Sequence, residues 1–178
     1  SYGLDLKLSP YRVLATSIDD GFVEFVDDSM TLSAILAQNN NELLGYFRTQ
    51  ASKPEAPFGV DPVVLDTFSR SCAGYCAITY ILGIGDRHMD NLLVTSQGKL
   101  FHVDFGYILG RDPKPFPPPM KLCREMVEGM GGANSPYYRS FVSRCTQAFL
   151  IMRRHANLIV SLLYLATDAN IKDMREQD

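Results

Sequence analysis

Two short apolar runs, Leu92-Leu93-Val94 and Leu100-Phe101-His102-Val103, stand on either side of Ser96-Gln97-Gly98. No other feature limits the fold as much. Each run has the length and side-chain types of a buried strand. The segment between them has turn chemistry, with Gly98 able to take positive φ. Runs joined this tightly predict an antiparallel hairpin. A hairpin brings the residues before its first strand close to those after its second, so Asp86, His88 and Asn91 are expected to face Asp104.

That constellation has a chemical reading. Asn91 offers a neutral amide oxygen and Asp104 a carboxylate, a pair suited to Mg²⁺ that already carries phosphate oxygens. Asp86 precedes Asn91 by five residues, the offset of the Asp-x-x-x-x-Asn catalytic loop of protein kinases. Asp104-Phe105-Gly106 matches the segment that supplies the metal-binding acid in that chemistry. Any one of these residues alone reads as a turn cap or a strand end. Four polar residues at these offsets around one apolar hairpin point instead to phosphoryl transfer.

The totals fit such a protein without singling it out. At 178 residues, 46% hydrophobic and 21% charged, the chain suits one domain or a large piece of one. A net charge of −3 gives no general field for nucleic acid. Cys72, Cys76, Cys123 and Cys145 are unpatterned, and the four-residue spacing of the first two reads as helix packing rather than zinc binding. A reducing, cytosolic setting is expected. No signal peptide or long apolar run stands out. The chain opens on Ser1 and enters structured sequence at once, which reads as an excised piece.

Along the chain, Tyr11–Ser17 and Phe22–Val26 read as strands around an Asp19-Asp20-Gly21 turn. Thr31–Gln38 and Glu42–Gln50 carry helical spacing, split by Asn39-Asn40-Asn41, and Ala51–Pro62 reads as a loop. Asp61-Pro62 supplies a cap and a first-turn proline for a helix to about Leu82, closed by Gly83 and Gly85. Tyr107–Lys121, with its five prolines, is expected to be an extended loop. Glu125–Met130, Ser135–Arg154 and Ala156–Thr167 read as further helices, the last two separated at Arg153-Arg154-His155. The order predicts an α+β fold of protein-kinase type. Residues 1–26 are expected to be the last strands of a small lobe and its hinge, and 27–178 most of a mainly helical large lobe, with the catalytic loop at 83–91 and an activation loop at 107–122.

Protein kinases write the catalytic triplet His-Arg-Asp, whereas this chain has Asp86-Arg87-His88. The inverted order resembles the phosphatidylinositol 3-/4-kinase superfamily. Leu4–Thr16, Ser71–Cys76, Thr79–His88, His102–Leu122 and Glu125–Gly132 extend the likeness over nearly the whole chain. The proline-rich segment after Asp104 resembles class III phosphatidylinositol 3-kinases in particular. That resemblance implies ATP as phosphate donor, Mg²⁺ (with Mn²⁺ possible) as metal, and membrane phosphatidylinositol as acceptor at its 3-hydroxyl. It also implies regulatory protein subunits and a peripheral place on endosomal and autophagic membranes. The loop offers only Arg111, Lys114 and Lys121 as cations, partly balanced by Asp112, which suits a headgroup carrying a single phosphodiester.

Roles follow from the resemblance residue by residue. His88 is the candidate general base, since imidazole titrates near neutral pH, and Asp86 would orient it or take the proton itself. Asn91 and Asp104 would hold Mg²⁺, and Arg87 would brace the loop. Phe25 and Val26 would lie at the hinge against adenine, with Leu93 and Val103 as the pocket floor or as plain core. His102 reads as a satisfied core histidine and His155 as a surface residue. The family's phosphate-binding loop, its small-lobe lysine and its C-terminal amphipathic helices match nothing between Ser1 and Asp178, so the isolated stretch is expected to be inactive. Two other readings stay open: a serine/threonine kinase of the same superfamily and a non-catalytic pseudokinase-like module.

Overall fold

The computed structural model describes residues 3–165. The centre of the fold is the helix α3 (Pro62–Leu82). Asp61 caps it, accepting from Val63 N at 2.9 Å, and Gly83 closes it in the left-handed region at φ 54°. Its residues are apolar or small on nearly every side, so it is buried on nearly every side. Phe68 on α3 meets Phe47 edge to face at 5.2 Å, inside a core that also holds Leu32, Ile35, Met126 and Phe141.

A three-stranded sheet meets this helix through its last strand. β3 (Ser29–Thr31), β4 (Leu92–Thr95) and β5 (Leu100–His102) form an antiparallel sheet in that order. β4 and β5 are the expected hairpin, in register Leu92 with His102 and Val94 with Leu100. Gly98 takes φ 81° in the turn, and a side chain there would collide with Val64 O. α3 holds the hairpin through Ser71, whose buried hydroxyl accepts from Leu100 N at 2.9 Å. β3 is a strand the sequence did not announce, because Met30 is its one apolar residue and its pairing is wholly with β4.

The first two strands are shorter than expected: β1 (Val13–Ala15) and β2 (Gly21–Val23) pair around the Ser17–Asp20 turn. Val13, Leu14, Phe22 and Val23 are all exposed, so no apolar cover extends the ladder. α1 (Leu32–Gln38) starts one residue late because Thr31 is its cap, accepting from Ala34 N at 3.2 Å. α2 (Leu43–Gln50) follows the break, where Asn40 and Asn41 sit at positive φ. The expected loop at 51–62 carries a 3₁₀ turn (Pro57–Gly59) and a bridge from Ser52 to Val60. α4 (Arg124–Gly129), α5 (Pro136–Arg154) and α6 (Ala156–Leu165) complete the chain. α5 packs along α3, and α6 turns away from it by 68° at His155. Residues 166 and 167, placed in the last helix by the sequence, lie outside the described residues. Among the described residues no single helix is long and apolar enough to cross a membrane.

Candidate functional site

Past the end of α3 the chain runs through Gly83-Ile84-Gly85 beneath the segment that follows Asp104. Gly85 N donates to Tyr107 O at 2.9 Å, Leu109 N to Leu82 O at 2.9 Å, and Gly110 N to Gly83 O at 2.8 Å. This contact is why glycine stands at both positions. A Cβ on Gly83 would meet Gly110 N at 2.5 Å, and one on Gly85 would collide with Arg111 O.

Asp86 then turns the chain at φ 53°, and both faces of its backbone are held by side chains. Asn91 Nδ2 donates to Asp86 O at 2.9 Å, while Asp112 Oδ2 accepts from Asp86 N at 2.8 Å. The amide of Asn91 is thereby oriented, leaving its oxygen as the end suited to a cation. Asn91 O in turn accepts from Val103 N at 3.1 Å, which continues the hairpin by one pair and sets Asp104 beside Asn91. Asp104 is also in the left-handed region, at φ 57°, with Oδ1 accepting from Gly106 N at 3.3 Å.

Arg87 braces this assembly from inside. It is 8% exposed. Nε donates to Gly85 O at 2.7 Å, Nη1 to Val103 O at 2.7 Å, and Nη2 to Asp104 O. One planar fork thus ties the catalytic-type loop to the strand that ends in Asp104. Its outer face lies over the Phe105 ring at 5.4 Å. Burial pulls its pKa below the usual guanidinium value, and the nearby Asp104 and Asp86 carboxylates oppose that shift.

His88 is half exposed and points outward. Asp90 N donates to its Nδ1 at 3.2 Å, so the neutral ring carries its proton on Nε2. Nε2 lies 4.0 Å from Asp86 Oδ2. Asp86, His88 and Asn91 are therefore neighbours, and Asp104 is tied to their loop through Arg87. His102 is a core residue as expected, stacked on Tyr75 at 4.7 Å, but it is not fully satisfied: its buried Nδ1 has no hydrogen-bond partner. Burial, with Arg87 close by, pulls its pKa down to about 3.

The adenine-side residues do not come together as neatly. Phe25 and Val26 line a cleft of about 380 Å³ with Tyr11, Asp28 and Thr95, and the Phe25 ring is largely exposed. Leu93 and Val103 lie outside the lining of that cleft, half-buried and packed on the core. Of the loop cations, Arg111 is exposed with its guanidinium 5.9 Å from the Tyr107 ring. Lys114 and Lys121 line a small cavity of about 50 Å³ with Ile84, Arg87 and Asp112.

Two residues that the spacing did not single out belong to this region. Tyr11 lies edge-on to Phe101 at 6.2 Å, close enough to Arg87 and Asp104 to feel both charges. No sequence signal marks it, because its place depends on how β1's leading residues cross the hairpin. Asp112 did carry a signal, since Asp-Pro-Lys is a turn sequence, and Asp112 Oδ1 accepts from Lys114 N at 2.8 Å. Backbone donors from Asp86 and Lys114 hold its carboxyl below the ordinary carboxylate range.

A hairpin that closes an amide and an acid beside an Asp-Arg-His loop, on a buried helix, is a kinase-like site. The chain belongs to the phosphatidylinositol 3- and 4-kinase family, whose sequence model matches residues 1–175. Among curated relatives, it is 56% identical over 96% of its length to the phosphatidylinositol 3-kinase nodule isoform of Glycine max, of which it covers 21%. It is 52% identical over 97% of its length to phosphatidylinositol 3-kinase VPS34 of Saccharomyces cerevisiae, covering 19% of that protein. The chain thus spans about a fifth of the length of these relatives. Kinases of this family in general use ATP with a divalent metal.

Proposed function

We propose that this chain is the catalytic core of a class III phosphatidylinositol 3-kinase, transferring the γ-phosphate of ATP to the 3-hydroxyl of phosphatidylinositol. The observation that supports the reading is the Arg87-braced hairpin, in which Arg87 ties Val103 O and Asp104 O to the loop that carries Asp86, His88 and Asn91. Residues 1–26 act as the end of a small lobe and hinge, and 27–178 as most of the large lobe. Phe25 and Val26 face adenine across the cleft, while Leu93 and Val103, outside its lining, serve as core.

The donor set at the hairpin suits Mg²⁺: one oriented amide oxygen and one carboxylate. When bound there, the ion neutralises charge on the transferring phosphoryl group. The inositol hydroxyl loses its proton to the Asp86–His88 pair. The carboxylate of Asp86 accepts without rearrangement, whereas Nδ1 of His88 is already engaged by Asp90 N. Asp86 and His88 lie 4.0 Å apart, and either can take the proton.

Arg111, Lys114 and Lys121 supply a sparse positive field for a headgroup with one phosphodiester. Regulatory subunits and an endosomal or autophagic membrane complete the setting, on the strength of the family resemblance. The test offers the full-length kinase phosphatidylinositol, its mono- and bisphosphorylated forms and a protein substrate, with the lipid products resolved. Phosphatidylinositol 3-phosphate is expected as the dominant product. Preferred phosphorylation of the protein, or of the polyphosphorylated lipids, would overturn the reading.

A further inference from the structure

Among the described residues, the segment 107–121 is held at three places. Its start pairs with Leu82–Gly85, and its end is tied by Cys76 Sγ to Lys121 O at 3.2 Å. Between them stands one side chain, Asp112. Its two oxygens do different work: Oδ1 accepts from Lys114 N within the segment, and Oδ2 accepts from Asp86 N across to the other loop, both at 2.8 Å. Asp86 is the residue whose carbonyl Asn91 grips from the other side.

We propose that Asp112 is a positioning residue that registers the substrate-binding loop against the catalytic loop. The inference rests on the kinase reading above and deepens it. Asp86 sits at φ 53°, in the left-handed region, and both of its flanking peptides are held by side-chain hydrogen bonds. Asn91 fixes its carbonyl and Asp112 its amide, so the peptide on each side of Asp86 cannot rotate independently. The direction of the Asp86 carboxylate towards His88 then depends on where the loop carrying Arg111 and Lys114 lies. A cation-bearing loop that docks its lipid headgroup sets the proton acceptor in the same motion. The packing leaves no slack, since Gly85 touches Arg111 and Asp112 without room for a methyl group.

A carboxylate is required for this double role. An asparagine at 112 keeps one acceptor oxygen and turns an NH₂ towards the second donor. Asp112→Asn therefore retains the size and one of the bonds but loses the other, and Asp112→Ala loses both. In the full-length kinase both variants should lower kcat for phosphatidylinositol about ten-fold or more. The KM for ATP should stay within about two-fold, because Asp112 itself has no bond to Asn91 or Asp104 and does not line the Phe25–Val26 cleft. Hydrogen exchange of the peptide spanning residues 83–91 should be faster in both variants than in the wild type, with the thermal midpoint little changed.

The exchange arm reads the clamp without reference to catalysis. If the wild type makes no 3-phosphoinositide yet the variants lose protection at 83–91, the kinase reading fails and the clamp stands. Unchanged exchange at 83–91, or a wild-type kcat for Asp112→Asn, overturns the proposal.

Discussion

Arg87 donates through Nη1 to the main-chain oxygen of Val103 at 2.7 Å. The bond joins a loop residue to a strand residue sixteen positions on, and it fixes how the hairpin meets the end of α3. Two more carbonyls, Gly85 O and Asp104 O, accept from the same guanidinium. Arg87→Met would leave these carbonyls without their guanidinium donor, and Arg87→Lys would serve one of them at most. Losing the fork is expected to cost about 3 kcal/mol of folding stability, read from urea unfolding. A loss under about 1 kcal/mol for Arg87→Met would show that the brace is not structural.

Gly85 tests the docking of the following loop. In Gly85→Ala the new methyl meets Arg111 O, and the bond from Gly85 N to Tyr107 O cannot survive at its present length. The segment 107–121 should loosen while α3 stays intact. Trypsin cleavage after Arg111 is expected to speed up about ten-fold or more, because local opening exposes the chain. Cleavage at the wild-type rate would mean that the loop tolerates a side chain it has no visible room for.

His102 gives the fold an acid sensitivity of known sign. Its folded pKa is about 3, below the ordinary histidine value of 6.5. Between those values the unfolded chain binds the extra proton, so stability is full above 6.5 and falls as the pH drops. From pH 7 to pH 5 the loss from this one group is about 2 kcal/mol. His102→Leu should flatten that part of the stability profile, measured by urea unfolding at several pH values. A profile equally steep in the variant would place the acid sensitivity elsewhere.

Much of this arrangement was legible in the sequence, for identifiable reasons. α3 announced itself through Asp61-Pro62, its three-and-four spacing and Gly83, all of which act locally. The hairpin was legible because both strands are buried and their turn needs Gly98. The approach of Asn91 to Val103, the residue before Asp104, followed from the hairpin alone. What was not legible depends on distant partners. β3 exists only because β4 offers it an edge, and β1 and β2 are short because their apolar side chains have nothing to lie on. Tyr11 reaches the site through tertiary folding, and Asp112 does so by crossing to Asp86 from twenty-six residues away. The unpartnered Nδ1 of His102 is likewise a property of its surroundings, not of its place in a strand.

The central claim is that Asn91 and Asp104 hold the metal that makes phosphoryl transfer possible at this hairpin. The most direct measurement is single-turnover transfer from labelled ATP to phosphatidylinositol in the full-length kinase, wild type against Asp104→Ala. Circular dichroism and the thermal midpoint serve as the folding control. The account predicts a fall of about a thousand-fold or more in the variant, with the fold intact and no rescue by added Mg²⁺. Transfer within about ten-fold of the wild-type rate would contradict it.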